Sequence, residues 1–151
     1  MDKGQEKQPW LMKDEALAYP DIRYADGIVF TAEQMAGLFG RSNPEGAEPD
    51  RPSDVEAMFA LANLVATAWT GAELVGVARA FSDFRFVAYL ADLVVDRAWR
   101  RRGVGRGLVE RLMARLALGA KMVLLSSPEA EGFYRRLGFT GRPGGWTKVR
   151  E

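Results

Sequence analysis

The chain has 151 residues and a formal net charge of +1, with 48% hydrophobic and 27% charged residues. That is the composition of one globular domain with a sizeable core, and its charge balance gives no overall pull toward nucleic acid or acidic membranes. Neither cysteine nor histidine occurs, which excludes disulfides, thiolate zinc sites, thiol nucleophiles and the commonest general base. Carboxylates alone can still hold a metal, but no EF-hand-like Asp/Glu cluster is present, and no metal is expected.

Residues 1–20 read as a polar tail with Pro9 and Pro20 as breakers, able to dock through Trp10, Leu11 and Leu17. Residues 21–151 read as a single domain. The N-terminus lacks an apolar signal core, and no run approaches about 18 apolar residues, so a cytoplasmic protein without a membrane span is expected. Ile22-Arg23-Tyr24 predicts a short strand closed by Asp26-Gly27. Thr31 and Gln34 form a capping-box pattern at the start of a helix, with Met35, Leu38 and Phe39 on one face and Gly40 as its stop. Asn43 to Pro49 is turn-rich. Ser53 is expected to cap a second helix that buries Val55, Met58, Phe59 and Ala62.

Strand character follows. Leu64–Trp69 and Leu74–Phe81, joined through Thr70-Gly71-Ala72-Glu73, predict an antiparallel hairpin. Val87–Val95 is a longer apolar strand suited to the middle of a sheet. Val104, Leu108, Leu112 and Leu116 mark an amphipathic helix, and Met122–Leu125 a buried strand. Ser127-Pro128-Glu129 predicts the capped start of a last helix with Ala130, Phe133 and Leu137 inward and Gly138 at its end. Trp146–Val149 is expected to close the sheet. The order β-α-α-β-β-β-α-β-α-β describes an α/β protein with a mixed sheet and helices on its faces.

Between the long strand and the amphipathic helix lies Arg100-Arg101-Arg102-Gly103-Val104-Gly105-Arg106-Gly107. Glycines open backbone conformations closed to other residues, and the unpaired amides at a helix start make an anion site. Neighbouring arginines add bidentate phosphate donors. The segment is therefore a candidate pyrophosphate cradle. It is not a Walker loop, because no Gly-Lys-Ser or Gly-Lys-Thr occurs, and it fails G-x-G-x-x-G because Leu108 stands where the third glycine belongs.

The spacing Arg100-x-x-Gly103-x-Gly105 resembles the coenzyme-A loop of the GCN5-related N-acetyltransferases (GNAT). Asp92 to Asp96 with Arg97-Ala98-Trp99 is similar to that family's fourth strand and its run into the loop. Phe133-Tyr134-Arg135-Arg136-Leu137-Gly138-Phe139 is similar to the family's second signature, F-Y-x-x-x-G-F. The likeness spans roughly residues 22–150, and Arg79-Ala80-Phe81-Ser82-Asp83 looks closest to the plastid arylalkylamine, serotonin-type branch and its bacterial relatives.

The resemblance implies a mostly antiparallel sheet whose fourth and fifth strands splay, with pantetheine in the gap against Leu93, Val94 and Val95. It implies pyrophosphate on Arg100, Arg101, Arg102, Gly103, Val104, Gly105 and Arg106, with Ser127 also at the cofactor. A bulge near the end of the fourth strand is expected to aim an amide at the thioester carbonyl. Tyr134 is implied as general acid in a direct transfer from acetyl-CoA to a primary amine. For the base, Asp92 and Asp83 stay open, because Tyr89 stands where other branches place a glutamate and Ser127 departs from the usual acidic or Asn position. Tyr89, Phe81 and Phe84 are candidates to line the acceptor pocket for a small-molecule or peptide amine. A homodimer through edge strands fits this fold.

Plainer readings stand beside these. Seven arginines between Arg97 and Arg115 can be a solvated face, Arg111 and Arg115 read as surface residues, and the lack of interleaved aromatics disfavours nucleic acid. Tyr134 can be a partly buried aromatic, Asp92 a structural strand residue, and Asp83 a turn cap. A domain that binds coenzyme A without catalysis, as a sensor or partner module, is the alternative class.

Overall fold

The structure, a computed structural model, describes residues 21–42 and 52–151. The expected tail and the Asn43–Pro49 turn lie outside the described residues. Strand β1 (Ile22–Asp26) leads through helices α1 (Ala32–Ser42) and α2 (Pro52–Ala60) into the meander β2 (Leu64–Thr70), β3 (Glu73–Ser82) and β4 (Val87–Val95). A 3₁₀ turn (Arg97–Trp99) and helix α3 (Val104–Ala114) follow, then β5 (Lys121–Val123), a second 3₁₀ turn (Pro128–Ala130) and helix α4 (Glu131–Arg136). The sheet order is β1-β2-β3-β4-β5, antiparallel except for the parallel β4–β5 pair.

Each sheet face buries one core. On one face, the small side chains of Ala66, Ala68, Ala78, Ala80 and Ala88 leave room for α3, which packs Val104, Leu108, Val109 and Leu112 against them. The helix comes so near that a Cβ at Gly76 would stand 3.0 Å from both Leu108 Cδ1 and Val104 Cγ1. On the other face, Met35, Leu38 and Phe39 of α1 and Val55 and Phe59 of α2 cover Val65, Trp69, Leu74 and Val77. The capping box forms as expected: Thr31 N donates to Gln34 Oε1 at 2.9 Å and Gln34 N to Thr31 Oγ1 at 3.1 Å.

Five expectations need correction, the first being the buried strand at Met122–Leu125: the strand is Lys121–Val123, with Val123 48% and Leu125 59% exposed. Helix α1 runs through Gly40 to Ser42, whose hydroxyl donates to Phe39 O at 2.9 Å and so satisfies a terminal carbonyl. Helix α2 already includes Ser53, so Ser53 is no cap. Ser127 precedes a 3₁₀ turn with no side-chain cap bond, and the last α-helix starts only at Glu131. No closing strand forms at Trp146–Val149, where Trp146 and Val149 are 92% and 81% exposed. Gly141, Pro143, Gly144 and Gly145 precede that run; Pro lacks a ladder donor and glycine weakens strands, so the β-prone residues have too little support.

Gly107 exposes how tightly α3 sits on β1. A Cβ there would run into the Tyr24 hydroxyl and ring. Gly107→Ala should therefore destabilise the protein by about 1–2 kcal/mol, the usual cost of overpacking. In a Tyr24→Ala background the same substitution should instead stabilise by about 0.5–1 kcal/mol, because alanine is the better helix former. Denaturant midpoints of the four variants test this reversal of sign.

Candidate active site

Strand β4 has two partners at its start and one at its end. Val87, Ala88 and Tyr89 pair with Lys121, Met122 and Val123 of β5. From Leu90 to Val95 the strand continues along β3, while β5 has already ended. The two strands therefore part as the resemblance implied, and the β5-facing backbone of Leu90–Val95 is left open to an extended ligand. Within this stretch the register shifts: Ala80 faces Leu90 and Arg79 faces Asp92, so Ala91 is the extra residue of a β-bulge. The bulge reverses the alternation of side chains. Leu93 and Val95 join the α3 core, and Val94 joins the α1–α2 core.

Past Val95 the chain turns sharply. Buried Asp96 accepts Ala98 N at 2.9 Å and caps the 3₁₀ turn. Arg100 reaches back to donate to Ser42 O at the end of α1, at 2.6 Å. Arg101 and Gly103 both take left-handed backbone, with φ of 60° and 79°. Gly103 is the N-cap of α3, so the first amides of that helix point into the loop with no intrahelical acceptor. This concave run of backbone donors, at the positive end of an eleven-residue helix, fits a pyrophosphate. Arg102 lies over the Trp99 ring at 5.0 Å and Arg106 pairs with Glu110 at 3.8 Å.

The α4 segment is locked to the same loop. A Cβ on Gly105 would stand 3.0 Å from Phe133 Cζ and 3.8 Å from Val95 Cγ2, so the end of β4, the start of α3 and α4 meet at one point. Tyr134 is next along α4, stacked edge-on against Phe133 and Phe139 at 5.1 and 5.5 Å. Burial raises its pKa above the ordinary 10.0, so the phenol stays protonated at neutral pH. A protonated hydroxyl there can donate a proton. It is not a base.

The expected carboxylates lie elsewhere. Asp92 sits on the α2 face, where its Oδ2 accepts Arg79 Nε at 2.5 Å, and Arg79 also donates to Met58 O at 2.8 Å. Asp83 is fully exposed and accepts the amides of Phe86, Val87 and Arg85 at 2.8, 3.1 and 3.0 Å. Those bonds, Phe86 first, hold its pKa below 3.8, which makes it a poor proton acceptor. Phe81 and Tyr89 are cross-strand partners, 36% and 43% exposed, beside Arg79. Phe84 stands apart on the α3 side, under Arg115 at 5.6 Å. The predicted acceptor wall thus keeps Phe81 and Tyr89 together and separates Phe84 from them. Ser127 is exposed in the segment after β5.

Arg111 and Arg115 are more engaged than a plain surface reading allows. Arg111 pairs with Asp26 at 3.1 Å and lies over the Tyr24 ring. Sequence reasoning also missed Arg41, whose Nε donates to Asp96 Oδ2 at 2.7 Å from 55 residues away. Nothing local in the sequence marks that pair.

The parted strand pair beside a glycine-cornered loop is the arrangement that the resemblance to the GCN5-related N-acetyltransferases implied. A family model described as "Acetyltransferase (GNAT) domain" matches residues 62–141, and the chain belongs to that family. Among its relatives, GCN5-related N-acetyltransferase 1, chloroplastic, of Arabidopsis thaliana is 40% identical over 73 residues, covering 47% of this chain and 37% of that protein. Serotonin N-acetyltransferase 2, chloroplastic, of Oryza sativa subsp. japonica is 41% identical over 71 residues, covering 46% and 36%. The likeness to plastid relatives is therefore borne out, while the chain spans little more than a third of these relatives' length. A probable acetyltransferase of Staphylococcus aureus superposes with a TM-score of 0.72 at 18% identity, over 86% of this chain and 99% of that one. AAC(6′)-Iy, solved with a CoA bisubstrate analogue, gives 0.65 at 19% identity, over 85% and 98%. These two matches bear out the mixed-sheet fold. Among the described residues, no helix is long and apolar enough to cross a membrane.

The Asp83 turn carries a direct test. Because its folded pKa is lowered, the carboxylate contributes stability that is present above about pH 4 and lost as pH falls through that lower pKa. Asp83→Ala should lower the denaturant midpoint at pH 7, and the gap to wild type should narrow steadily toward pH 3. A gap independent of pH would show that the three amide bonds matter through shape rather than charge.

Proposed function

We propose that the protein is an N-acetyltransferase that moves acetyl from acetyl-CoA to a primary amine by direct attack, with Tyr134 as general acid. The observation that carries this reading is the meeting of the open β4 edge, the Gly103-capped start of α3 and Tyr134 around the Val95–Gly105–Phe133 contact. Bound acetyl-CoA supplies an acyl group already activated as a thioester. The β4 backbone from Leu90 to Val95 holds and orients the pantetheine arm, and the amides of the Arg101–Arg106 segment hold the diphosphate. The Ala91 bulge turns backbone donors toward the reacting carbonyl. Tyr134 gives its proton to the departing sulfur. Since the chain has no cysteine, no thiol is present to carry the acyl group.

The acceptor is an amine whose body rests against Phe81 and Tyr89. A small arylalkyl amine, a polyamine and a protein lysine share that chemistry. A coenzyme-A-binding module without turnover is the second reading, favoured only by the prior commitments of Asp83 and Asp92.

Calorimetric titration with acetyl-CoA, with NAD as comparator, tests the reading first. Micromolar affinity for acetyl-CoA that NAD does not match is expected, and no binding at millimolar ligand would sink it. Tyr134→Phe should then lower kcat about 10²-fold, the usual contribution of a positioned acid, with CoA affinity unchanged. Because the acid must be protonated, the alkaline fall of the wild-type rate should begin only above pH 10, and that limb should vanish in the variant. Full activity of Tyr134→Phe would remove Tyr134 from the chemistry.

A further inference from the structure

Helix α1 lies on the face of the sheet opposite α3, yet its last turn is fastened to the phosphate loop at two points. Arg41 donates through Nε to Asp96 Oδ2 at 2.7 Å and through its terminal nitrogen to Leu74 O at 2.7 Å. Asp96, only 5% exposed, spends its other oxygen on Ala98 N, and its own amide donates to Val75 O at 2.9 Å. One residue past Arg41, the Ser42 carbonyl accepts the Arg100 guanidinium. The segment from Asp96 to Arg100 is thus held between α1 and the β3 backbone. It determines where the left-handed Arg101 and Gly103 begin.

We propose that Arg41 is a positioning residue for the coenzyme's diphosphate. It acts through Asp96 and the 3₁₀ turn and does not itself touch the ligand. The inference rests on the acetyltransferase reading above and goes beyond it. A buried carboxylate that both caps a turn and faces a cation holds that turn only while the cation is present. Without Arg41, Asp96 must take up water or turn outward, and the exit of β4 is left with the Asp96 N–Val75 O and Arg100–Ser42 O bonds to set its direction. Strand β4, whose open edge would hold the pantetheine arm, is zipped to β3 along its other edge and does not depend on Arg41. The two halves of the coenzyme should therefore respond differently.

The experiment compares two donors, acetyl-CoA and S-acetylpantetheine, which lacks the diphosphate and nucleotide. Arg41→Ala should raise the KM for acetyl-CoA about tenfold, equivalent to one mis-set charged contact, with kcat within about twofold. Its kcat/KM for S-acetylpantetheine should equal that of wild type. Arg41→Lys, which keeps a cation for Asp96 but not the two-way fork, should recover part of the loss. Arg41 is at the end of a helix and 40% exposed at its side chain, so the alanine variant should fold, and a melting curve verifies it. Equal losses on both donors, or no loss on either, would overturn the inference while leaving the acetyltransferase reading intact. Wild-type protein inert toward both donors and unable to bind CoA would overturn both.

Discussion

Strand β4 has to leave β5 after Tyr89 while staying hydrogen-bonded to β3 as far as Val95. The rest of the site depends on that parting. Backbone amides and carbonyls inside a domain need partners, and an interior strand that loses one neighbour becomes a template for whatever extended chain can reach it. The Ala91 bulge lets β4 bend away without exposing its apolar side chains, because the change of parity returns Leu93 and Val95 to the α3 core and Val94 to the other. The stripe of alanines with Gly76 then draws α3 close to the sheet, which places its N-terminus at the mouth of the gap.

The arginine cluster divides accordingly. Arg100 binds the end of α1, Arg111 binds Asp26, Arg115 covers Phe84, and Arg106 faces Glu110. Arg100, Arg111 and Arg115 therefore fasten the loop and its helix to their surroundings, while Arg106 pairs within the helix itself. Beside them stand the first backbone amides of α3, which have no intrahelical acceptor, and the exposed Arg101. Backbone donors are fixed in direction and lose no side-chain entropy on binding, which suits a cradle better than long flexible cations.

The elements were legible in the sequence wherever a local period or a local cap sets them. The β2–β3–β4 meander, the Thr31–Gln34 box and the amphipathic α3 all follow from neighbours within a few residues. The glycines of the loop were legible as a motif but only partly as physics. Gly103 needs its positive φ, as the phosphate-loop reading requires, whereas Gly105 and Gly107 make room for Phe133 and Tyr24. Those are tertiary contacts that no local pattern reports. The same is true of Arg41–Asp96 and Arg79–Asp92, pairs whose partners come from different elements. Trp146–Val149 failed for the opposite reason: its β propensity was read without the Pro and Gly run that precedes it.

These prior commitments bear on how the acceptor loses its proton. A lysine-like amine has a pKa of about 10.4, so only about one molecule in a few thousand is neutral at pH 7. Asp83 is made more acidic by the amides it accepts, and Asp92 already accepts from Arg79. On the acetyltransferase reading, Asp83 is thereby tuned away from the role of a strong base. Asp92, ion-paired to Arg79, stands on the acceptor side of that reading. The half-buried, protonated Tyr134 lies on the other face of the sheet, with the parted strands between them. Such a division favours proton removal through solvent on the acceptor face and proton return from a fixed phenol on the cofactor face. On the proposed mechanism the two transfers would be separated by the sheet, so the same group need not serve both.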